Sequence, residues 1–319
     1  MIMNPFVSII IPNFNRAHLI TETLTSIQMQ DYKDWECIII DDHSTDNSME
    51  VISNFIKSDS RFILKSRPRS KKKGANSCRN YGFDLSKGKL IQWFDSDDLM
   101  EHNHLKVLVH SLTNGDYDFT VGDTINFSEE RGLMDRPYEF DRSNSEISAD
   151  KFVKQEIGWI TDDFIGRREL LKQLKFNENY STDGDEYNFF SRLLHINTNG
   201  KFVNEILTKR RVHDDSLTQG FNSNSPEFQR KIAFIKYSTF LDIESFGNKS
   251  LLRWLLSGYM QYAFRIGLSR KRVPFFPQSV IGVIKYFGVI EGFSFFISIL
   301  CAYMFKKGYL FLRFAKKGL

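Results

Sequence analysis

The sequence predicts an α/β protein: a doubly wound, mostly parallel sheet with helices on both faces, followed by a C-terminal helical region. Three observations carry this. Short apolar runs rich in β-branched residues alternate with amphipathic stretches through the first 125 or so residues, the pattern of repeated βα units with right-handed crossovers. The runs are continuously apolar, as in strands buried on both faces. Beyond Pro226 the chain turns helical, aromatic and increasingly basic.

In order, "FVSIII" is the first strand, and Ala17 to Gln30 an amphipathic helix with Leu19, Thr23, Ile27 and Gln30 on one side and Leu24 beside them. "WECIII" is a second buried strand ending at Asp41, and "STDNSMEVISNFI" a helix opened by Ser, Thr and Asp as caps. "RFILK" is a third strand, Ala75 to Leu85 a third helix, "KLIQWF" a fourth strand, Glu101 to Leu112 a helix and "YDFTV" a fifth strand. From Asn126 to about Asp150 the composition is polar and reads as loop. Helices are expected at Ala149–Glu156 and Glu186–Ile196, with "SLTQGFNSNSPEF" as a linker. No internal repeat is present. These patterns divide the chain at 1–125, 126–222 and 223–319.

With 319 residues, 41% hydrophobic and 26% charged, there is ample material for a core. A net charge of +4 is too mild for a dedicated nucleic-acid binder. Cys37, Cys78 and Cys301 lie far apart with no CxxC pair, which excludes a disulfide scaffold or thiolate metal site and fits a reducing, cytoplasmic setting. "MIMNPFVSIIIP" lacks the basic start and apolar length of a signal peptide and reads as a first strand.

Function is signalled by acids. "IQWFDSDDLM" ends an apolar run in Asp95, Asp97 and Asp98, and close-packed carboxylates raise one another's pKa. Asp41 and Asp42 end the second strand, and in a parallel sheet the C-terminal strand ends share one edge, where ligands bind. Hard oxygen ligands on that edge suit Mg²⁺ or Mn²⁺ with a phosphate-bearing substrate. The competing reading is a polar turn with a helix cap. An EF-hand loop opening at Asp42 fails, because Asn47 and Ser53 stand where Gly and Glu are needed. No Gly-Lys-Ser/Thr loop follows a strand, and the first strand ends in "PNFNRAH", without a phosphatase-type aspartyl nucleophile.

"VSIIIPNFNRAHLITETLTSIQMQDYKDWECIIIDDHSTDNS", then "GANSCRNYGFDLSKGKLIQWFDSDD", resembles the nucleotide-binding half of family 2 glycosyltransferases, which have a GT-A fold. The resemblance covers roughly the first hundred residues, with weaker echoes to "VHDDS". It implies that Pro12, Asn13 and Asn15 line the base and ribose of a nucleotide-diphosphate sugar. Asp42 would meet the base with Asp41 beside it, and Arg79 and Asn80 would lie near the base or diphosphate. Asp95, Ser96 and Asp97 correspond to the DxD motif, with Asp97 or Asp98 ligating the metal and His213 either a third ligand, as in some relatives, or an ordinary loop histidine. His43 stands where the family usually has Gly.

The family's general base opens a helix before an aromatic pair and "RL". In "DGDEYNFFSRLL" that position is Glu186, where the family generally has Asp, with Asp185 as competitor. Phe190 and Leu193 share a stripe with Glu186, whereas Asp183, Asp185 and Glu186 would also suit a helix first turn on electrostatic grounds alone. Trp159, Asp162 and Asp163 are placed in the acceptor pocket. The expected activity is inverting, metal-dependent transfer to a saccharide or lipid-linked saccharide in bacterial surface polysaccharide synthesis. The rivals are a sugar nucleotidyltransferase, which needs a glycine-rich loop that "PNFNRA" does not supply, and a non-catalytic binding module.

Two basic features complete the reading. Arg67 to Lys73 is either a solvated loop or a cover attracting phosphates. The stretch "FGVIEGFSFFISILCAYMF" is interrupted by Glu291, too short to span a bilayer without it, and flanked by Lys306, Lys307, Arg313, Lys316 and Lys317. That combination suits peripheral contact with an anionic membrane at the inner face of the cell, or a helical subdomain packing its own aromatics.

Overall fold

The computed structural model describes residues 6–180, 184–213, 225–246 and 248–317. Asp183, the acids that follow His213 and most of the expected linker lie outside them. The chain divides into two compact units: residues 1–181 with 185–216, and residues 182–184 with 217–319.

The first unit is built on β1 (Val7–Asn13), α1 (Ile20–Gln28), β2 (Trp35–Asp41), α2 (Ser48–Phe55), β3 (Phe62–Ser66), α3 (Ala75–Leu85), β4 (Leu90–Trp93), β5 (Leu99–Met100), α4 (His104–Asn114), β6 (Phe119–Ser128), β7 (Gly132–Leu133), α5 (Ala149–Val153), β8 (Phe164–Arg167), α6 (Arg168–Leu171), α7 (Asp185–Ile196) and β9 (Gly200–Arg211). The strands form one sheet in the order β3-β2-β1-β4-β8-β6-β9-β5, with β7 on β6. Neighbours from β3 to β4 are parallel. β8 then enters antiparallel between β4 and β6, so β6 runs in the direction of β4 without touching it. β9 lies parallel to β6, and β5 closes the edge antiparallel to β9. The sheet is mixed beyond β4 and runs through both expected halves, residue 125 falling inside β6.

Alternation along the strands explains the double winding. Val7, Ile9 and Ile11 of β1 face one core with Leu24, Ile27, Leu105 and Leu108 of α1 and α4, while Ile10 faces the other core with Phe164, Phe189 and Phe190. On β2, Cys37 and Ile39 join the first core, and Ile38 and Ile40 pack with Cys78 of α3. Burying each such side chain contributes roughly 1.5–3 kcal/mol. Gly82 lets α3 settle on the sheet, since a Cβ there would come within 2.3 Å of Ile10.

Pro12 sits inside β1, opposite Ile40 of β2. Ile10 points its carbonyl at Phe94 just past the end of β4, so the missing N–H of Pro12 falls beyond that ladder and costs no bond. The polar stretch expected as loop contains the β6–β7 hairpin, and its irregular remainder is held by Arg136 and Arg142 on Asp123 of β6, at 2.6 and 2.8 Å.

The second unit is helical throughout its described residues: α8 (Pro226–Ile243), α9 (Lys249–Leu268), α10 (Gln278–Phe287), α11 (Val289–Phe305) and α12 (Tyr309–Ala315). α9 is its core, with Leu252, Leu255, Leu256 and Tyr259 buried. Among the described residues no helix is long and apolar enough to cross a membrane. All three cysteines are free.

Candidate active site

The C-terminal ends of β1, β2 and β4 carry the expected residues, and each can be followed to its partners. Asp41 is buried, and its carboxylate accepts from the Asn13 amide (2.9 Å), the Ser44 hydroxyl (2.5 Å) and the Ser44 N–H (2.9 Å). Asn15 takes a left-handed φ of 52° and caps Thr45, accepting from its N–H at 2.7 Å. Asp42 is bound on one oxygen by Arg67 and on the other by the Gly74 N–H at 2.9 Å. The basic run is therefore not uniform, because Arg67 is buried in this pair while Lys71, Lys72 and Lys73 stay at the surface. His43 adopts φ +61°, keeping the turn that glycine would make, and its Nε2 lies 2.9 Å from the Arg67 carbonyl. Ser44 and Thr45 serve these contacts rather than capping α2, whose first N–H donates to Asp46 at 2.9 Å.

The acids after β4 have different surroundings. Asp98, buried, accepts the Arg211 N–H at 2.8 Å. Asp162, fully buried in a short 3₁₀ turn from Thr161 to Asp163, receives the Asp95 N–H on both oxygens at 3.1 and 3.2 Å. Asp95, Asp98 and Asp162 bring carboxylate oxygens within 4.8 Å of one another. Burial first, and then the neighbouring acids, push the Asp98 and Asp162 carboxyls well above the usual range. Such a donor set fits a hard divalent cation, which would replace mutual repulsion with attraction.

Asp97 and His213 do not join that group. Asp97 takes Arg16 at 3.0 Å and His213 Nε2 at 3.2 Å. Burial opposes its charge, but His213 and Arg16 outweigh it and hold the carboxyl below its ordinary value. The expected metal set of Asp97, Asp98 and His213 is thus brought together only in part. Asp162 was assigned in the sequence to the acceptor pocket; it belongs to the acid cluster instead, anchored by Gln92 donating to its carbonyl at 2.8 Å. Trp159 and Asp163, expected in the same pocket, are in the interior, Asp163 held by the Thr124 hydroxyl. Ser96 is buried.

Arg79 of α3 is buried and spans Asp95 (2.8 Å) and Asp185 (2.7 Å), joining β4 to the start of α7. Burial works against its charge, and the two carboxylates more than reverse that and lift its pKa. Asn80 is spent on the chain itself: its amide nitrogen donates to the Phe176 carbonyl and Glu178, and its oxygen accepts the Phe176 N–H. Asn80 fastens that loop, and no group of its amide is left for a diphosphate.

At the start of α7 the two candidates for the base separate. Both oxygens of Asp185 are engaged, one by Arg79 and the other by the Glu186 N–H at 3.0 Å. Glu186 uses one oxygen, Oε1, which accepts from the hydroxyl and N–H of Thr161. Its Oε2 accepts no hydrogen bond among the described residues. Burial, then Asp185 and Asp95, push Glu186 up to about 7, the range that suits a general base at neutral pH.

Arg211 of β9 went unnoticed in the sequence. It is buried, donates from Nε to the Asp97 carbonyl at 2.9 Å and pairs with Glu22 at 2.7 Å and with Glu129. The only signal was the basic pair before "VH", and its partners are more than eighty residues away.

A sheet with this switch of strand direction, an acid cluster at its edge and a helix-start carboxylate beside it define a nucleotide-sugar transferase of GT-A fold. Residues 8–176, more than half of the chain, match Glycosyl transferase family 2. The chain belongs to that family and is a glycosyltransferase, which separates it from the nucleotidyltransferase and binding-module readings. It is similar to the UDP-Glc:alpha-D-GlcNAc-diphosphoundecaprenol beta-1,3-glucosyltransferase WfgD of Escherichia coli, 33% identical over 66% of this chain and 79% of that one. It is 28% identical to the GalNAc(5)-diNAcBac-PP-undecaprenol beta-1,3-glucosyltransferase of Campylobacter jejuni, over 69% and 70% of the two chains. In fold it resembles S. aureus TarS residues 1–349 in complex with UDP-GlcNAc, with a TM-score of 0.66 at 16% identity over 93% of this chain and 89% of that one.

Proposed function

We propose that the protein moves a sugar, with inversion, from a nucleotide-diphosphate donor to a lipid-linked saccharide during assembly of a bacterial surface polysaccharide at the cytoplasmic face of the membrane. The observation that carries the catalytic part is Glu186: a half-buried carboxylate with one oxygen fixed by Thr161 and the other without a hydrogen bond among the described residues. A base so held has one oxygen to take the acceptor hydroxyl's proton and cannot rotate away. Asp185 is the positioning partner, fixing Arg79 against Asp95.

The donor's base and ribose are assigned to the rim formed by Pro12, Asn13, Asn15, Asp41 and Asp42, with the diphosphate toward Arg79, Asp95 and Ser96. Asp95, Asp98 and Asp162 would hold Mg²⁺ or Mn²⁺, with Asp97 and His213 next to them. A divalent ion bound there would neutralise the departing diphosphate as a Lewis acid. Arg211 keeps the Asp97–Asp98 turn in place, its main-chain N–H donating to the Asp98 carboxylate and its Nε to the Asp97 carbonyl. The names of the relatives support the acceptor class, since both curated relatives above act on saccharides carried by diphosphoundecaprenol.

The test has two stages. Nucleotide sugars are first screened for thermal stabilisation with and without Mn²⁺, because a ligand of the native state raises stability by mass action. The stabilising donor, radiolabelled in the sugar, is then offered with extracted diphosphate-linked lipid saccharides. Label in the lipid phase, lost in Glu186→Gln, is the expected result. Stabilisation by donor with label transferred only to water-soluble sugars would overturn the acceptor assignment.

A further inference from the structure

We propose that the elbow between α11 and α12 is a lipid-binding site that takes the headgroup and outer chain segment of an anionic phospholipid, docking the enzyme on the bilayer surface. This rests on the lipid-linked acceptor reading for its purpose but not for its evidence. Residues 264–317 carry ten Lys and Arg against a single acid, Glu291. α11 ends at Phe305, Lys306 turns the chain in a left-handed cap with φ 53°, and α12 starts at Tyr309. Beside this turn is an open hollow of about 520 Å³, lined by Phe264, Leu268, Lys306, Lys307, Leu310 and Phe311. A mostly apolar lining that includes two lysines matches an amphiphile with a negative head.

The surroundings point the same way. Leu310 is 77% and Phe305 64% exposed, beside Lys306, Lys307 and Arg313, which form no salt bridge among the described residues. Apolar side chains standing in water beside unpaired basic ones are the composition of an interfacial surface. Spanning is not an option for α11, since no described helix is long and apolar enough to cross a membrane. A second exposed apolar cluster, Ile290 and Phe293 at the other end of α11, has Glu291 next to it and Lys285 already paired with Glu244 at 2.7 Å. Charge therefore selects the elbow and not the far end, which makes the far end an internal control.

Full-length protein is sedimented with vesicles of phosphatidylcholine alone or with phosphatidylglycerol added, without sugar substrate. Binding to the phosphatidylglycerol vesicles only, weakening with salt, is expected. Each lysine near an anionic surface contributes roughly a fivefold gain in binding, so Lys306→Gln with Lys307→Gln should lower it roughly 25-fold. Leu310→Ser with Phe311→Ser should lower binding comparably, whereas Ile290→Ser with Phe293→Ser should leave it unchanged. Thermal melts confirm that each variant folds, and donor hydrolysis in detergent shows whether the catalytic reading stands separately. Equal binding to both vesicle types, indifference to the elbow variants, or a dimer that the Leu310 and Phe311 changes dissociate would overturn the lipid site. The last would make a second copy the occupant.

Discussion

Two groups of acids share one edge of the sheet and differ in what surrounds them. Asp41 and Asp42 are surrounded by donors, with Asn13, Ser44, Arg67 and the Gly74 N–H using their oxygens. Asp98 and Asp162 are as deeply buried, but their largest neighbours after burial itself are other carboxylates. A buried acid with its own donors builds a turn. One surrounded by acids needs a cation from outside the chain or a proton, and that contrast locates the chemistry.

The largest expected effect lies beside the second group. Glu186→Gln should leave donor binding intact and lower turnover by roughly two to four orders of magnitude. Since the Glu186 carboxyl is pushed up to about 7, it must lose its proton to act, and turnover should rise with pH through about 7. That acid limb should vanish in Glu186→Gln. If Asp185→Asn reproduces the loss and Glu186→Gln does not, the roles are exchanged.

How far the sequence reached follows the same contrast. Strands β1 to β4 and their helices were legible because each is a local pattern, an apolar run or a 3.6-residue stripe, and α3 falls on Ala75–Leu85 as expected. β8 was hidden in "FIGR", four residues inserted antiparallel from far down the chain, and β9 in a strand mixing Lys, Asn and Glu with apolar residues. Asp95 and Asp98 were visible as a crowded motif. Asp162 was not, because nothing local in "WITDDF" says which of its acids faces β4, and only the Asp95 N–H fixes that. Glu186 was found by its place at a helix start, whereas its separation from Asp185 depends on Arg79 and Thr161, remote in sequence.

A paired substitution sharpens the comparison through stability. Asp41→Asn weakens an acceptor that three donors share and should cost about 1–3 kcal/mol. Asp162 has a folded-state pKa above its unfolded one, so the stability it contributes is present below about pH 4 and lost as pH rises through the raised value. Asp162→Asn should therefore leave metal-free protein at pH 8 as stable as the parent or more so. A loss there equal to that of Asp41→Asn, measured by denaturant unfolding, would erase the distinction between the two groups.

The smallest effect is expected at His43. Glycine would relieve a left-handed φ of 61° but surrender the contact to the Arg67 carbonyl and raise the entropy of the unfolded chain. The two should nearly cancel, leaving His43→Gly within about 1 kcal/mol of the parent. A much larger loss of stability would show that the imidazole, rather than the turn, supports Arg67 and hence Asp42.

The most direct test is a titration with Mn²⁺ in the presence of UDP, following free ion by its electron paramagnetic resonance signal. The expected result is that Asp162→Asn and Asp98→Asn each weaken Mn²⁺ binding by more than about tenfold. If Asp162→Asn binds the ion as tightly as the parent, and Asp97→Asn or His213→Ala alone abolishes binding, the cation belongs to Asp97 and His213, and the assignment to Asp95, Asp98 and Asp162 is wrong.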